Sequence, residues 1–292
     1  MTDLDFPEAA ARSLVRRALE EDLGPHGVDV TTTATIPAEQ TCTAHVVARE
    51  DGVVAGLPVV AIALDEVAAL LRVDPPDVSP GHRDGDVVRR GDVLATVTGS
   101  AQVVLVAERT LLNVVCRLSG IATHTRQWAD RLKGTGATVL DTRKTTPGLR
   151  ALEKYAVRAG GGTNKRMGLY DVAMIKDNHK LAAGSLRKAY AAVRERHPEV
   201  AVQVEVTTVE EALESVAVGA RFLLCDNMSP QLLRDTVVAV RATGEQVELE
   251  ATGGLTLEVA REYAETGVDH LSVGALTHSS PVLDVALDLV AD

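Results

Sequence analysis

ATVLD at residues 137–141 is the first of six short apolar runs that decide the fold of this chain. The other five are DVAMIKD (171–177), AVQVEV (201–206), RFLLCDN (221–227), QVELEAT (246–252) and HLSVGA (270–275). Helices are predicted between and after these runs at 147–158, 184–196, 208–218, 229–243, 256–266 and 280–290. Apolar strands that alternate with helices are typical of a parallel sheet covered by helices. Six units are fewer than the eight of a complete α/β barrel, so we expect an incomplete barrel.

The residues before this stretch have a different pattern. Residues 7–22 predict an amphipathic helix. Residues 41–106 contain short apolar or alternating runs separated by Gly, Pro and Asp, which is typical of strands, with one helix predicted near 59–71. A further helix is predicted from residue 108 to about 133. The change of pattern indicates two domains with a boundary between 108 and 137.

Composition excludes several classes of protein. The 292 residues carry a formal net charge of −11, so a polyanion such as nucleic acid or an anionic membrane would be repelled. Aromatic residues make up only 2%, too few for base-stacking platforms. We find no apolar run long enough to span a bilayer and no signal peptide. Three widely spaced cysteines form no metal or disulfide pattern, so we expect a cytoplasmic protein.

The charge is uneven along the chain. Residues 141–180 contain nine Lys or Arg against four Asp or Glu, a local excess of five positive charges in an acidic protein. Five of the seven lysines lie between 144 and 180. A basic segment in an acidic chain indicates a site for a small anion.

Several polar residues follow the predicted strands. Because the carboxyl ends of barrel strands meet at one mouth, we expect these side chains to surround one cavity. They are Arg143, Lys144, Lys176, Glu205 and Asp226. The two acids could accept sugar hydroxyls or hold Mg²⁺, and they could equally form salt bridges with the neighbouring lysines.

Glycines after the last two strands predict a phosphate site. Gly253-Gly254 and Gly274 each precede a predicted helix, and barrel enzymes commonly bind phosphate at these two loops. Tight turns alone would also explain them. A phosphate pocket, two acids and a cationic pocket together suit transfer at a sugar carbon, where acids can stabilise an oxocarbenium-like centre.

Longer motifs resemble a known family. They are ERTLLNVVCRLSGIAT (108–123), LDTRKTTPGLRALEKYAVRAGGGTNKRMGLYDVAMIKDNH (140–179), VEVTTVEEA (204–212), LLCDNMSP (223–230), EATGGL (250–255) and SVGALTHS (272–279). Together they resemble the quinolinate phosphoribosyltransferases. The similarity runs from Glu21-Asp22 and the Asp29-Val30-Thr31-Thr32 segment to the end of the chain.

The resemblance implies an activity and an architecture. Such enzymes join quinolinate to 5-phosphoribosyl 1-diphosphate with Mg²⁺, releasing diphosphate and CO₂ and yielding nicotinate mononucleotide for de novo NAD synthesis. It implies an N-terminal α/β sandwich over 1–120 and a barrel over 121–292, whose last helix could pack back on the first domain. It also implies a homodimer with shared active sites, with a hexamer left open.

The resemblance also implies roles for individual residues. Quinolinate would be held by Arg109 from the partner subunit together with Thr142, Arg143, Lys165, Arg166 and Lys176. Lys144, Lys176, Glu205 and Asp226 would be catalytic, with Glu205 and Asp226 near the metal. Thr252, Gly253, Gly274 and His278 would bind the 5′-phosphate.

One residue departs from the family pattern. Lys165 stands where the family usually has His, which keeps a donor but fixes a positive charge near neutral pH. We therefore keep open a paralogue that acts on another pyridine or aromatic acid. A third alternative is a lipoyl- or biotinyl-type carrier, which GDVVRRGDVLATVTG (85–99) resembles. Residues 1–132 lack the lysine that such a carrier needs.

Overall fold

The computed structural model describes residues 4–290. These residues form two compact units. The first contains 4–126, 145–161 and 276–290, and the second contains 127–144 and 162–275. The helices are α1 (Glu8–Leu23), α2 (Val30–Thr35), α3 (Pro58–Leu71), α4 (Ala101–Leu132), α5 (Arg150–Ala159), α6 (Asp177–Ala183), α7 (Leu186–Arg196), α8 (Val209–Ala217), α9 (Pro230–Ala242), α10 (Ala260–Ala264) and α11 (Ala275–His278). The strands are β1 (Thr41–Ala48), β2 (Gly52–Val53), β3 (Asp77–Pro80), β4 (Val87–Val88), β5 (Val93–Ser100), β6 (Thr138–Leu140), β7 (Val172–Ile175), β8 (Ala201–Val206), β9 (Phe222–Asp226), β10 (Glu248–Thr252), β11 (His270–Ser272) and β12 (Val285–Leu289).

The first unit is built on an antiparallel sheet in the order β12-β1-β5-β3. Strands β2 and β4 form a separate antiparallel pair. Helix α1 packs on α3, and both bury apolar residues at helical spacing, including Val15 and Leu19 on α1. The sequence predicts both helices closely, because their buried positions follow the helical period.

The C-terminal end of the chain corrects one prediction. The helix predicted over 280–290 is wrong, because Val285–Leu289 forms strand β12 and pairs antiparallel with β1. The register places Ala44 opposite Leu289 and Ala48 opposite Val285. An open strand edge supplied backbone partners that local periodicity could not reveal.

A second correction concerns residues 101–107. This run, AQVVLVA, was expected to be a strand but forms the first two turns of α4. Val103, Val104 and Ala107 are buried, and Leu111 continues the same buried face one turn later. A short apolar run fits a strand or a buried helix equally well, and length decides between them.

The second unit contains a sheet of six parallel strands in the order β6-β11-β10-β9-β8-β7. Each predicted apolar run holds one of these strands. Within this sheet the first strand along the chain, β6, pairs with the last, β11, as in a barrel, while β6 and β7 stand at the two ends of the order. The prediction of a six-stranded, incomplete α/β barrel after an N-terminal α/β domain is therefore confirmed.

Helices were predicted less completely than strands. Helices α7, α8, α9 and α10 fall within the predicted ranges and α5 ends one residue beyond its range, whereas α2, α6 and α11 were missed. The single domain boundary at residue 120 stays a prediction. By packing, residues 145–161, which include α5, group with the N-terminal segment. Within the described part of the chain, no helix combines the length and the apolar character needed to cross a bilayer.

Asp29 supplies the first testable prediction. Its carboxylate caps α2 by accepting hydrogen bonds from the backbone N–H groups of Thr31 (2.9 Å) and Thr32 (3.1 Å). The hydroxyl and N–H of Thr32 hold the pKa of Asp29 below its usual value. We expect Asp29→Ala to lower the free energy of unfolding by about 1 kcal/mol at pH 7.

The pH dependence of this loss checks its cause. A carboxyl with a lowered folded pKa stabilises the fold above its unfolded pKa and loses that contribution as the pH falls through the folded pKa. The difference between wild type and Asp29→Ala should therefore shrink below about pH 4. Urea unfolding across pH measures it, with exposed Asp74→Ala as the control. A difference that stays constant at low pH would contradict the capping account.

Candidate active site

A cavity of about 670 Å³ opens beside the ends of β6 and β7 in the second unit. Its volume lies within the usual range for small-molecule sites. Its lining combines cations, a histidine and apolar side chains: Arg143, Arg166, Leu169, Ala173, Met174, Ile175, Lys176, His179, Ala182, Ala183, Ala189, Ala192 and Val193. Arg143, Arg166 and Lys176 are three of the cations expected to hold an anionic acceptor.

Arg166 shows why this cavity favours an anion. Its Nη1 donates to the backbone O of Val172 at 2.9 Å, while its Nε is buried with no hydrogen-bond partner. Burial and the nearby charge of Arg143 lower the pKa of Arg166. Both effects disfavour the charged form of the guanidinium. An anion bound in the cavity would counter both effects by pairing with the charge of Arg166.

Lys176 and Glu205 form an ion pair at the ends of neighbouring strands. Ile175 pairs with Val204, so the residue after each, Lys176 and Glu205, lies in the same row. Glu205 is 8% exposed, whereas the Lys176 side chain is 47% exposed and also lines the cavity. The salt bridge anticipated from the sequence is therefore present, and it leaves Lys176 accessible.

The loops after β9 and β10 are tied together. The N–H of Asn227 donates to the backbone O of Thr252 at 2.9 Å, and its side-chain amide donates to Asp226 Oδ2 at 2.8 Å. Gly253 has a φ of +96°, and a Cβ there would lie 2.3 Å from Asn227 Oδ1. Asn227 lies so close to this backbone that only glycine is accommodated at position 253. Asn227, which the sequence reasoning did not single out, therefore positions both Asp226 and Gly253.

The side chain of Lys165 is largely buried in the second unit. Its ammonium lies 2.5 Å from Glu250 Oε1 and 3.4 Å from Ser272 Oγ. The Lys165 side chain is 7% exposed and that of Glu250 is 0% exposed. Burial lowers the pKa of Lys165, and the charge of Glu250 opposes this shift. Glu250, which was not singled out from the sequence, is thus a main partner of Lys165.

Gly160 and Gly161, the first two residues of the triple glycine, are closely packed within the first unit. A Cβ on Gly160 would lie 2.4 Å from the backbone O of Ala122 on α4, and Gly161 has a φ of +93°. Further on, Thr163 forms a parallel bridge with Leu140 of β6. The backbone at Gly160 thus has no room for a Cβ.

The remaining predicted residues are distributed over both units. Thr142, exposed Lys144 and Gly274 belong to the second unit, and the N–H of Lys144 donates to Thr142 Oγ1 at 3.0 Å. Arg109, exposed on α4, and His278, at the end of α11, belong to the first unit. His278 Nδ1 lies 2.5 Å from Ser279 Oγ.

The turn that carries His278 is held by a buried ion pair that the sequence reasoning missed. Arg117 pairs with Glu153 at 2.9 Å, and Glu153 is 0% exposed. Arg117 also donates to the backbone oxygens of Thr277 and Ser280. The Thr146 hydroxyl donates to Glu153 at 2.8 Å. One buried carboxylate therefore anchors two segments of the first unit.

The described residues contain no group of three or more His, Cys, Asp or Glu placed to hold a metal ion. Glu205 and Asp226 are two carboxylates at adjacent strand ends, and Glu205 already binds Lys176. A hard cation here would therefore need other oxygen ligands from a substrate or from water.

Comparison with known proteins gives one consistent result. A family model described as quinolinate phosphoribosyl transferase, N-terminal domain, matches residues 29–119. The model for the C-terminal domain of the same family matches residues 121–288. A nicotinate-nucleotide pyrophosphorylase [carboxylating] from Mycobacterium leprae is 48% identical over 99% of this chain and 100% of its own length.

More distant relatives agree. A probable nicotinate-nucleotide pyrophosphorylase [carboxylating] from Bacillus subtilis is 40% identical over 95% of this chain and 93% of its own. The solved structure of the nicotinate-nucleotide pyrophosphorylase from Francisella tularensis is similar with a TM-score of 0.91 and 31% identity, covering 99% of this chain and 100% of that one. The NadC structure from Streptococcus pyogenes has a TM-score of 0.90 and 33% identity, with coverages of 98% and 99%.

Gly160 lies against the backbone of α4. We expect Gly160→Ala to lower the free energy of unfolding by roughly 1–3 kcal/mol, because the added methyl would collide with the backbone of α4. Gly134→Ala is the control, since its methyl meets nothing within 4 Å and it isolates the cost of a positive φ, about 1 kcal/mol. Denaturant unfolding compares the two. Gly160 has a φ of −73°, so its own loss contains no such backbone cost, and a Gly160→Ala loss well below about 1 kcal/mol would refute the close approach.

Proposed function

This chain belongs to the quinolinate phosphoribosyl transferase family, and we propose that it is a carboxylating nicotinate-nucleotide pyrophosphorylase. In the synthetic direction, the pyridine nitrogen of quinolinate attacks C1 of 5-phosphoribosyl 1-diphosphate. Diphosphate leaves, the 2-carboxylate departs as CO₂, and a proton replaces it. The products are nicotinate mononucleotide, for de novo NAD synthesis, with diphosphate and CO₂.

The cationic cavity is the observation that carries this proposal. Quinolinate has two neighbouring carboxylates on an aromatic ring, and the cavity presents Arg143, Arg166 and Lys176 to such a dianion. Met174 and Ile175 supply apolar surface for the ring. We assign these three cations to quinolinate, with Thr142 beside them.

The family chemistry limits how the two carboxylates are held. Once the ring nitrogen carries the ribosyl group, the ring is a cationic electron sink, and loss of CO₂ leaves an ylide that is then protonated. A strong cationic contact to the departing carboxylate would oppose its loss. The tight contacts should therefore favour the retained carboxylate, while the cavity orients the ring and excludes water.

The donor site would lie on the neighbouring strand ends. We assign Lys144, Glu205 and Asp226 to the ribose and diphosphate. Mg²⁺ is usually held by one or two carboxylates together with substrate phosphates, and this pair of acids fits an ion that arrives with the diphosphate. When bound, the ion would neutralise the charge of the leaving diphosphate.

The 5′-phosphate is assigned to the last two strand ends. Gly253, whose backbone conformation requires glycine, and the hydroxyl of Thr252 would bind it together with Gly274. His278 would contribute from the turn that Arg117 holds. Backbone N–H groups in glycine turns are typical ligands for phosphate.

We further propose a cytoplasmic homodimer in which Arg109 enters the partner's site, with a hexamer left open. Leu169 and Tyr170, beside the cavity, are 73% and 79% exposed, and a partner subunit would cover such side chains. The three cysteines are free thiols, which suits a reducing compartment.

A reconstitution assay tests the activity. Purified protein mixed with quinolinate, 5-phosphoribosyl 1-diphosphate and Mg²⁺ should form nicotinate mononucleotide and CO₂ in equal amounts, measured by chromatography and by release of a labelled 2-carboxylate. Nicotinic acid in place of quinolinate is the control and should give no nucleotide. Turnover of another pyridine acid in preference to quinolinate would instead support the paralogue.

Arg166→Lys tests the role of the cavity. A lysine lacks the bidentate fork, so we expect the KM for quinolinate to rise about tenfold or more while kcat changes less. Steady-state kinetics measure both, and Arg187→Lys, on the exposed surface of α7, is the matched control. A loss of kcat larger than the rise in KM would contradict a role for Arg166 in substrate binding alone.

A further inference from the structure

Lys165 and Glu250 form an ion pair on the side of the six-stranded sheet that carries Glu205 and Glu250, which we call the polar side. Glu205 and Glu250 both stand in register with Leu224 of the strand between them, so their side chains leave the sheet on the same side. Glu205 is engaged by Lys176 and Glu250 by Lys165. The Lys165 pair is the more enclosed of the two, and Lys165 is not among the residues that line the cavity.

Lys165 arrives from outside the sheet, on the segment that covers the free edge of β6. The N–H of Thr163 donates to Val139 O at 2.9 Å, and Thr163 O accepts from the N–H of Asp141 at 3.2 Å. The buried Asp141 carboxylate then accepts from Asn164 Nδ2 at 2.6 Å and from the N–H of Lys165 at 2.8 Å. These bonds fix the backbone at Lys165 and direct its side chain to Glu250.

The Glu250 carboxylate depends on Lys165 for its charge balance. Its Oε1 accepts from Lys165 Nζ and from the Ser272 hydroxyl, while its Oε2 is buried with no hydrogen-bond partner. A carboxylate enclosed in this way is strongly unfavourable without a counter-charge. Removal of the ammonium should therefore disturb the segment that carries it, including Arg166 in the cavity.

We propose that Lys165 is a positioning residue, which acts through its buried ion pair with Glu250 to hold Arg166 in place for the substrate carboxylate, and that it does not itself touch the substrate. This assignment replaces the direct contact that the family resemblance implied for Lys165. The inference about Lys165 rests on the proposed function, because its test uses quinolinate as the probe.

A double-mutant cycle tests the proposal, with Lys165→Met, Glu250→Gln and the double variant in the full-length protein. Lys165→Met leaves an uncompensated buried carboxylate, so we expect its Tm to fall by roughly 5 °C or more. Its dissociation constant for quinolinate should rise about tenfold or more, since a displaced Arg166 binds poorly. The KM for 5-phosphoribosyl 1-diphosphate should stay within about twofold.

The double variant distinguishes positioning from contact. Glu250→Gln removes the uncompensated buried charge. The double variant should therefore have a higher Tm than Lys165→Met alone and should bind quinolinate more tightly. If Lys165 contacts quinolinate directly, adding Glu250→Gln restores no affinity, and the proposal is overturned. Where Lys165→Met does not fold, binding by the double variant within about tenfold of wild type supports the proposal, and weaker binding refutes it.

Two further results complete the test. Lys133→Met removes an exposed lysine paired with Asp130 on the surface and should change neither Tm nor quinolinate affinity. A cycle that is coupled in Tm but leaves quinolinate affinity unchanged would reduce the pair to a structural role and overturn the proposal. If wild type binds no quinolinate, the proposed function fails instead, and the Tm cycle still reports separately on the ion pair.

Discussion

The candidate site depends on how the open edge of the six-stranded sheet is covered. Because β6 pairs with β11 on one side and not with β7 on the other, its second edge would leave backbone groups without partners beside the cavity. Thr163 covers this edge with two backbone hydrogen bonds, and the Asp141 carboxylate continues the attachment. Lys165 and Arg166 come next in the chain. The bonds that complete the sheet therefore also determine where two of its cations lie.

The two acids on the polar side of the sheet hold their lysine partners in different environments. Glu250 holds Lys165 in an enclosed pair, whereas Glu205 holds Lys176 at a half-exposed position on the cavity. Lysines eleven residues apart in one basic segment thus have different access to a ligand. The position of the partner carboxylate therefore decides which of these two lysines faces the cavity.

Local pattern predicted most of the elements for an identifiable reason. The six parallel strands were found because each is a short apolar run bounded by turns and separated by helical stretches. The pattern failed at 101–107 and 285–289, because a short apolar run fits both a strand and a helix. At 285–289 a distant partner strand, β1, decided the outcome. Helix α6 was missed because DNHKLAA is too short for its period to be read.

The sequence by itself determined the α/β class, the number of parallel strands and the set of strand-end residues, because these follow from local periodicity and from the direction of parallel strands. It also carried the family resemblance through long motifs. Only the tertiary structure decided that the sheet opens between β6 and β7, that Glu250 is a main partner of Lys165, and that Asn227 braces Gly253. The partner of a long charged side chain depends on which strands become neighbours, and that is settled by contacts far apart in the chain.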